Sequence, residues 1–315
     1  MRPEKHGYSP SNTPKIEKQP AIGLKAKLKE KASQIVVWYA ENIAASTPIN
    51  YHKDYVKTYI EAVKAGYMPV FIASHTAQID EFFLSLVSRE SVGMANDFLP
   101  EDQQIKGAIT PFAKSMKTRA QGKTAAFMLD SIMPSLWENG IKDVYTTTDN
   151  DNSKRGLDNN PEEFMLDMLN SMREGYMAVA ALPEGSVEGG RKGENGQCKG
   201  LQPLREGFSA AMLILAKRMR KKGVMFIPVG IEGSEKFNDP NRRWPTAEGL
   251  IAGFIPNPNI CKINVGLPIL MSYDDPETKA LIRENPEALN EINGMAIAEI
   301  LSPDRRGVYG KPRPV

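Results

Sequence analysis

The chain has 315 residues, 41% of them hydrophobic and 25% charged, and its 40 Lys and Arg against 38 Asp and Glu leave a net charge of +2. That length can bury a large core in one elaborated domain or two small ones, and so even a charge balance argues against nucleic-acid binding driven by bulk charge. No window reaches the roughly 18–20 continuous apolar residues of a membrane span, and the only cysteines, Cys198 and Cys261, lack any paired spacing.

A zinc site or disulfide framework is therefore not expected, and a reducing compartment is, either the cytoplasm or an organelle stroma. Residues 1–20 are polar, rich in Pro and Lys, and lack an apolar h-region. They read as a disordered lead and not as a secretory signal. Residues 21–66 read as an N-terminal helical segment. Lys25, Lys27, Lys29 and Lys31 open it; such a run is either a solvated face or a peripheral contact with anionic lipid. A second helix is expected over 51–64, with Val56, Ile60 and Val63 on its apolar side and Gly66 stopping it.

After Gly66 the pattern changes. Residues 68–74 (MPVFIAS), 176–182 (YMAVAAL) and 224–231 (VMFIPVGI) are short continuous apolar runs. Runs of this length and character are buried strands, and strands apolar on both faces indicate a parallel sheet covered on both sides. Helices are expected between them. Asn160, Pro161, Glu162 and Glu163 form a capped acidic start, followed by Phe164, Met165, Met168, Leu169 and Met172 on one face. Leu204, Phe208, Met212, Leu215 and Met219 repeat at helical spacing, with Lys217, Arg218, Arg220, Lys221 and Lys222 at the C-terminal end. A further helix is expected over 123–137, a last strand over 262–266, and two helices opened by Asp275-Pro276-Glu277 and Asn285-Pro286-Glu287. Residues 305–315 read as a polar tail. The alternation gives an α/β class with a mostly parallel central sheet, whose main domain spans 67–270 and whose C-terminal helices and tail span 271–315.

Two motifs follow directly on expected strands, at the end of the sheet where α/β proteins bind ligands. The first is Ser74-His75-Thr76-Ala77-Gln78-Ile79-Asp80. Of three histidines, His6 lies in the lead and His52 opens a helix, so His75 alone stands where a general base is useful. Asp80 is the candidate partner for its other nitrogen. Five positions along a regular helix place two side chains about 140° apart, so the pair meets only if the chain turns after the strand and starts a helix near Asp80. Phe82, Phe83, Leu86 and Val87 would be that helix's buried face. Otherwise His75 is a structural core histidine and Asp80 an acid complementing the helix dipole.

The second motif is Pro183-Glu184-Gly185-Ser186, followed by Gly189-Gly190-Arg191-Lys192-Gly193. It offers backbone N–H groups, a hydroxyl and two cations, either as a phosphate cradle or as a flexible glycine loop. The third feature is Pro228 within the strand run Phe226-Ile227-Pro228-Val229. A proline there removes a ladder donor, which suggests an edge or a special bend.

Together these motifs resemble the glycerolipid acyltransferase family of glycerol-3-phosphate and lysophosphatidate acyltransferases. That family carries His-x-x-x-x-Asp, then Pro-Glu-Gly-Thr/Ser, then a proline in an apolar run, matched in order by His75 to Asp80, Pro183 to Ser186 and Pro228. The likeness covers residues 68–233, about half the chain, and is greatest to the soluble chloroplast-type enzymes, which have a helical segment ahead of the catalytic domain. The resemblance implies acyl transfer from an acyl carrier protein or coenzyme A thioester to a hydroxyl of glycerol 3-phosphate, or of a lysophospholipid or other acceptor. It implies His75 as base, Asp80 as its orienting partner, Glu184, Gly185 and Ser186 at the acceptor, and Pro228 shaping the acyl site. No metal or other cofactor and no nucleic-acid partner is implied. The family's phosphate-binding motif is poorly matched; Val144-Tyr145-Thr146 leading to Lys154 and Arg155 lies in its interval and is either that motif or a solvated basic loop. Departures are Ser74 where the family has Asn, Ala77 where it has Ser or Thr, and Val187 where it has Arg, with Arg191 and Lys192 standing nearby. An inactive lipid- or phosphate-binding protein on the same scaffold is the alternative from another functional class.

Overall fold

The computed structural model describes residues 47–76, 80–113, 141–146, 161–184, 199–237 and 261–310. The basic opening at Lys25 to Lys31 and the helix expected over 123–137 lie outside them. Among the described residues the strands are β1 (Ile49–Tyr51), β2 (Tyr67–Ala73), β3 (Ala108–Ala113), β4 (Ile141–Thr146), β5 (Ala178–Ala181), β6 (Gly223–Glu232), β7 (Lys262–Val265) and β8 (Ile269–Ser272). The helices are α1 (Tyr55–Lys64), α2 (Asp80–Asn96), α3 (Pro161–Arg173), α4 (Phe208–Arg218), α5 (Pro276–Glu284) and α6 (Pro286–Glu299). The protein is α/β, with one mostly parallel sheet in the order β1-β7-β6-β2-β5-β3-β4 and β8 as a second partner of β6. No described helix is long and apolar enough to cross a membrane.

The continuous apolar runs form central strands because both faces of the sheet are covered. In β2, Phe71 and Ala73 point into one core, where Phe83, Leu84 and Val87 of α2 and Tyr55 and Tyr59 of α1 pack. Met68, Val70 and Ile72 point into the other core, against Met168 and Met172 of α3 and Met212 and Leu215 of α4. β6 alternates the same way, with Ile227 and Val229 on one side and Val224 and Phe226 on the other. The period of two is thus present, but both phases are apolar.

Pro228 sits in a central strand, opposite Ile72 of β2, and not on the edge its missing N–H suggests. The other side of β6 explains how. β8 pairs there with residues 223–226 and β7 with residues 229–232, both antiparallel. Pro228 falls between the two ladders, where its carbonyl accepts from the Gly266 N–H at 2.9 Å. No ladder bond requires its nitrogen. A Cβ at Gly266 would lie 2.8 Å from Cγ of the rigid Pro228 ring, which is why the bend between β7 and β8 carries glycine.

Three sequence expectations change. Residues 49–66 do not form a separate helical unit: β1 joins the sheet through β7, in parallel register Ile49 to Ile263, and α1 packs on the same core. The face α1 buries is also different. Tyr55 and Tyr59 are fully buried, whereas Val56 is 42% exposed and Ile60 and Val63 are half-buried. Tyr51, Tyr55 and Tyr59 stack at 4.9 and 5.5 Å and end on Phe71 at 6.2 Å. The Tyr51 hydroxyl donates to Glu90 at 2.9 Å, and the Tyr55 hydroxyl is paired with Ser91 at 2.7 Å. The tips of Tyr51 and Tyr55 are satisfied while the buried Tyr59 hydroxyl has no hydrogen-bond partner among the described residues, so it is the area of the stacked rings that outcompetes the aliphatic stripe for burial. Finally, residues 303–305 and 307–309 are short 3₁₀ turns, docked on the chain and not a free tail. Leu201 donates to the Arg305 carbonyl at 2.9 Å, and Val308 donates to the Leu201 carbonyl at 3.0 Å. The approach is so close that a Cβ at Gly307, at φ +54°, would lie 1.9 Å from the Leu201 oxygen.

Candidate active site

The chain leaves β2 through α2 to β3, crossing the sheet face that carries Tyr59 and Phe83. It leaves β5 through α4 to β6, crossing the opposite face. β2 and β5 are neighbours, with Val70 beside Val179, so the winding reverses between them. At such a reversal the two departing loops separate and open a crevice at the C-terminal ends of the strands. The loop after β2 carries His75 and Thr76, and the turn after β5 carries Pro183 and Glu184.

α2 begins at Asp80, so the chain does turn after the strand as the His75–Asp80 pairing requires. One Asp80 oxygen, Oδ2, accepts from the Thr76 N–H at 2.6 Å and lies 3.6 Å from His75 Nδ1. That separation is within ion-pair range and beyond a hydrogen bond; closing it by roughly 0.6 Å reaches the usual N–H···O distance. Catalytic contacts are commonly long in a free enzyme and tighten on substrate binding. Both side chains are buried, at 6% exposure for His75 and 0% for Asp80, where a charge–charge interaction is less screened than at the surface.

Glu184 reaches from the turn after β5 to the loop after β2. One carboxylate oxygen accepts from the His75 N–H at 2.6 Å and the other from the Gln202 N–H at 2.9 Å. It thereby ties the β2 loop to the 199–205 segment. On the other flank, the Ser74 hydroxyl accepts from the Ile231 N–H at 3.2 Å, and the Thr76 hydroxyl pairs with that of Ser234 at 2.7 Å. These two contacts fasten the His75 loop to the end of β6. The docked C-terminal turns support both flanks. Tyr309 Oη accepts from the Leu204 N–H at 3.3 Å, Arg305 donates to Glu235 at 2.7 Å, and the Ser302 N–H donates to Glu232 at 2.6 Å.

Burial pushes the Glu184 carboxyl up to about 8, against the two amide hydrogen bonds that pull it down. Glu81, half-buried beside Asp80, is likewise pushed up to about 8, by burial and then by the neighbouring carboxylate. The native state therefore holds protons on these groups that an unfolded chain releases near pH 4.5. Native proton uptake makes stability fall as pH rises. Their contribution is complete below about pH 4.5 and is lost as pH passes through about 8. Urea midpoints measured across that window are expected to decline with pH, and the Glu81→Gln/Glu184→Gln double variant to decline less steeply. An equal slope in both proteins would refute the assignment.

Of the residues singled out in the sequence, His75, Asp80 and Glu184 come together. Pro228 is buried in β6, level with Ile72 of β2, and so lies beside the strand that delivers His75. Gly185, Ser186, Arg191, Lys192, Lys154 and Arg155 lie outside the described residues. So do Ala77 and Val187. Gln202 and Ser234 were not anticipated. Ser234 stands two residues beyond the end of β6, as His75 does beyond β2, and the rule that selected His75 and Glu184, a polar residue just beyond a buried strand, also selects it. Gln202 contributes only its backbone N–H, which no side-chain pattern reveals. Among the described residues no cluster of three or more His, Cys, Asp or Glu is arranged to hold a metal ion. No protein-family model matches the chain, and no curated protein matches it.

Proposed function

We propose that this protein transfers an acyl group from a thioester to a hydroxyl acceptor, with His75 as general base. The observation that carries the reading is the meeting of His75 and Asp80, 3.6 Å apart beyond the C-terminal end of β2, where the sheet's winding reverses. The resemblance of the His75–Asp80, Pro183–Ser186 and Pro228 motifs to those of glycerolipid acyltransferases adds the substrate class: an acyl carrier protein or coenzyme A thioester as donor and glycerol 3-phosphate as acceptor.

In this mechanism Nδ1 faces Asp80 and holds its proton toward the carboxylate, which leaves the Nε2 lone pair for the acceptor. Nε2 takes the acceptor's hydroxyl proton as the oxygen attacks the thioester carbon. The C–O bond forms, the C–S bond breaks, and the departing thiolate takes the proton back from Nε2. The products are an ester and a thiol, and His75 returns to its starting state. Asp80 stabilises the imidazolium that exists between the two proton transfers. Glu184 acts by holding the His75 backbone, and its two oxygens are already engaged by amides.

The test is a panel assay. Acyl-coenzyme A and acyl carrier protein thioesters are each offered with glycerol 3-phosphate, a lysophospholipid and a non-phosphorylated alcohol, and thiol release is followed together with the mass of the product. The expected result is acceptor-dependent thiol release and an ester of glycerol 3-phosphate. Ester formed on another acceptor alone would retain the mechanism and replace the substrate. Absence of any ester across the panel would reject the proposal.

A further inference from the structure

The opposite end of the sheet, where β2, β5 and β6 begin, carries a band of lysines laid over aromatic rings. Lys222 Nζ lies 5.2 Å from the ring centre of Tyr67, Lys106 4.9 Å from Tyr176, Lys217 5.9 Å from Tyr273, and Lys64 5.1 Å from Phe98. Backbone hydrogen bonds link the segments that carry three of these pairs. The Ser272 hydroxyl donates to the Lys222 carbonyl, the Lys222 N–H donates to Gly66 next to Tyr67, and the Lys106 N–H donates to Gly175 next to Tyr176. The β2–β5 register of Val70 with Val179 then puts Tyr67 and Tyr176 at one level.

Helix dipoles explain part of this charge, because α1 and α4 end here and a helix C-terminus favours cations. That accounts for Lys64, Lys217 and Arg218. It does not account for Lys106, Arg220 and Lys222, which lie outside the helices and are exposed. Arg220 even occupies a left-handed backbone conformation, φ 55°, that glycine would adopt without strain. The acids at this end include Asp97, Glu101, Asp102, Glu174, Asp274 and Asp275, against the cations Lys64, Lys106, Lys217, Arg218, Arg220, Lys221 and Lys222.

We infer that this end of the sheet docks on an anionic phospholipid surface. Lysine ammoniums attract acidic headgroups, and tyrosine, with an apolar ring and a polar tip, suits the interfacial layer beneath them. Phe98, 56% exposed, adds an apolar group that can enter the acyl boundary. A single-stranded nucleic acid is a poorer fit, since its bases need open ring faces to stack on and here a lysine covers one face of each ring. The inference does not depend on acyl transfer. Joined to that proposal, it points the His75 crevice away from the bilayer, about 20 Å along the seven residues of β2, toward acceptors dissolved in water.

The experiment is co-sedimentation of the full chain with phosphatidylcholine vesicles, with and without phosphatidylglycerol, and with a fluorescent single-stranded oligonucleotide as a separate arm. Binding is expected only to vesicles containing phosphatidylglycerol, and weaker at higher salt. Each lost charge should weaken it about fivefold, so Lys106→Gln/Lys217→Gln/Lys222→Gln should bind about a hundredfold more weakly. Charge reversal to Glu at the same positions should abolish binding while circular dichroism stays unchanged. The inference is overturned if the triple variants bind like wild type, which would assign any binding to other lysines. It is equally overturned if both vesicles bind alike, if neither does, or if only the oligonucleotide binds.

Discussion

His75→Ala is expected to lower the turnover of acyl transfer by about 10²–10⁴-fold, the usual contribution of a positioned general base, and to leave the fold intact. The imidazole is buried at the end of β2, and its Nδ1 lies 3.6 Å from Asp80. Removing it takes away the imidazole that the proposed mechanism uses to accept the acceptor's hydroxyl proton. The anchors of the loop do not use the ring. The His75 N–H donates to Glu184, the Thr76 N–H donates to Asp80, and Ser74 and Thr76 reach β6 through their hydroxyls. Alanine keeps all of these. Steady-state turnover, read beside a urea unfolding curve, separates the two effects: a large loss of rate with a midpoint near that of wild type. A midpoint that collapses along with the rate would instead make His75 a structural residue.

Glu184→Ala should damage both. Its carboxylate satisfies the N–H groups of His75 and Gln202, and the residue is 7% exposed. Deleting it leaves the buried His75 N–H and the half-buried Gln202 N–H without their acceptor, at about 1–3 kcal/mol for the donor that water cannot reach and less for the other. The expected loss of stability is therefore about 2–4 kcal/mol. The expected loss of turnover is about 10²-fold, because displacing a reacting group by about 1 Å has that effect and nothing else described ties the His75 amide across the crevice. Glu184→Gln keeps one accepting oxygen and should fall between wild type and alanine on both measures. Full activity in a destabilised Glu184→Ala protein would mean that the bridge serves the fold and not the base.

Much of the architecture was legible in the sequence because burial on both faces makes a strand apolar throughout, and β2, β5 and β6 are such strands. Proline and asparagine or aspartate at helix starts marked α5 and α6, where Asp275 accepts from the Thr278 N–H at 2.8 Å. What failed was the choice between competing faces. The α1 pattern contains both an aliphatic and a tyrosine stripe, and tertiary partners decide for the tyrosines: Glu90 and Ser91 receive the tips of Tyr51 and Tyr55, and Phe71 packs on the Tyr59 ring. The C-terminal turns look polar and tail-like because their anchorage is backbone hydrogen bonding to Leu201, which composition does not encode. For the site, the five-residue spacing of His75 and Asp80 was weak evidence until the start of α2 brought them together. The role of Glu184 as a clamp was hidden for the same reason as Gln202: its partners are main-chain amides from distant segments.

The central claim, direct attack by an acceptor activated at His75, is tested most directly by a single-turnover measurement of thiol release with enzyme in excess of the acyl thioester. Without acceptor, no burst of thiol is expected, and with glycerol 3-phosphate thiol and ester should appear together at one rate. A stoichiometric burst in the absence of acceptor, with the acyl group retained on the protein, would contradict it.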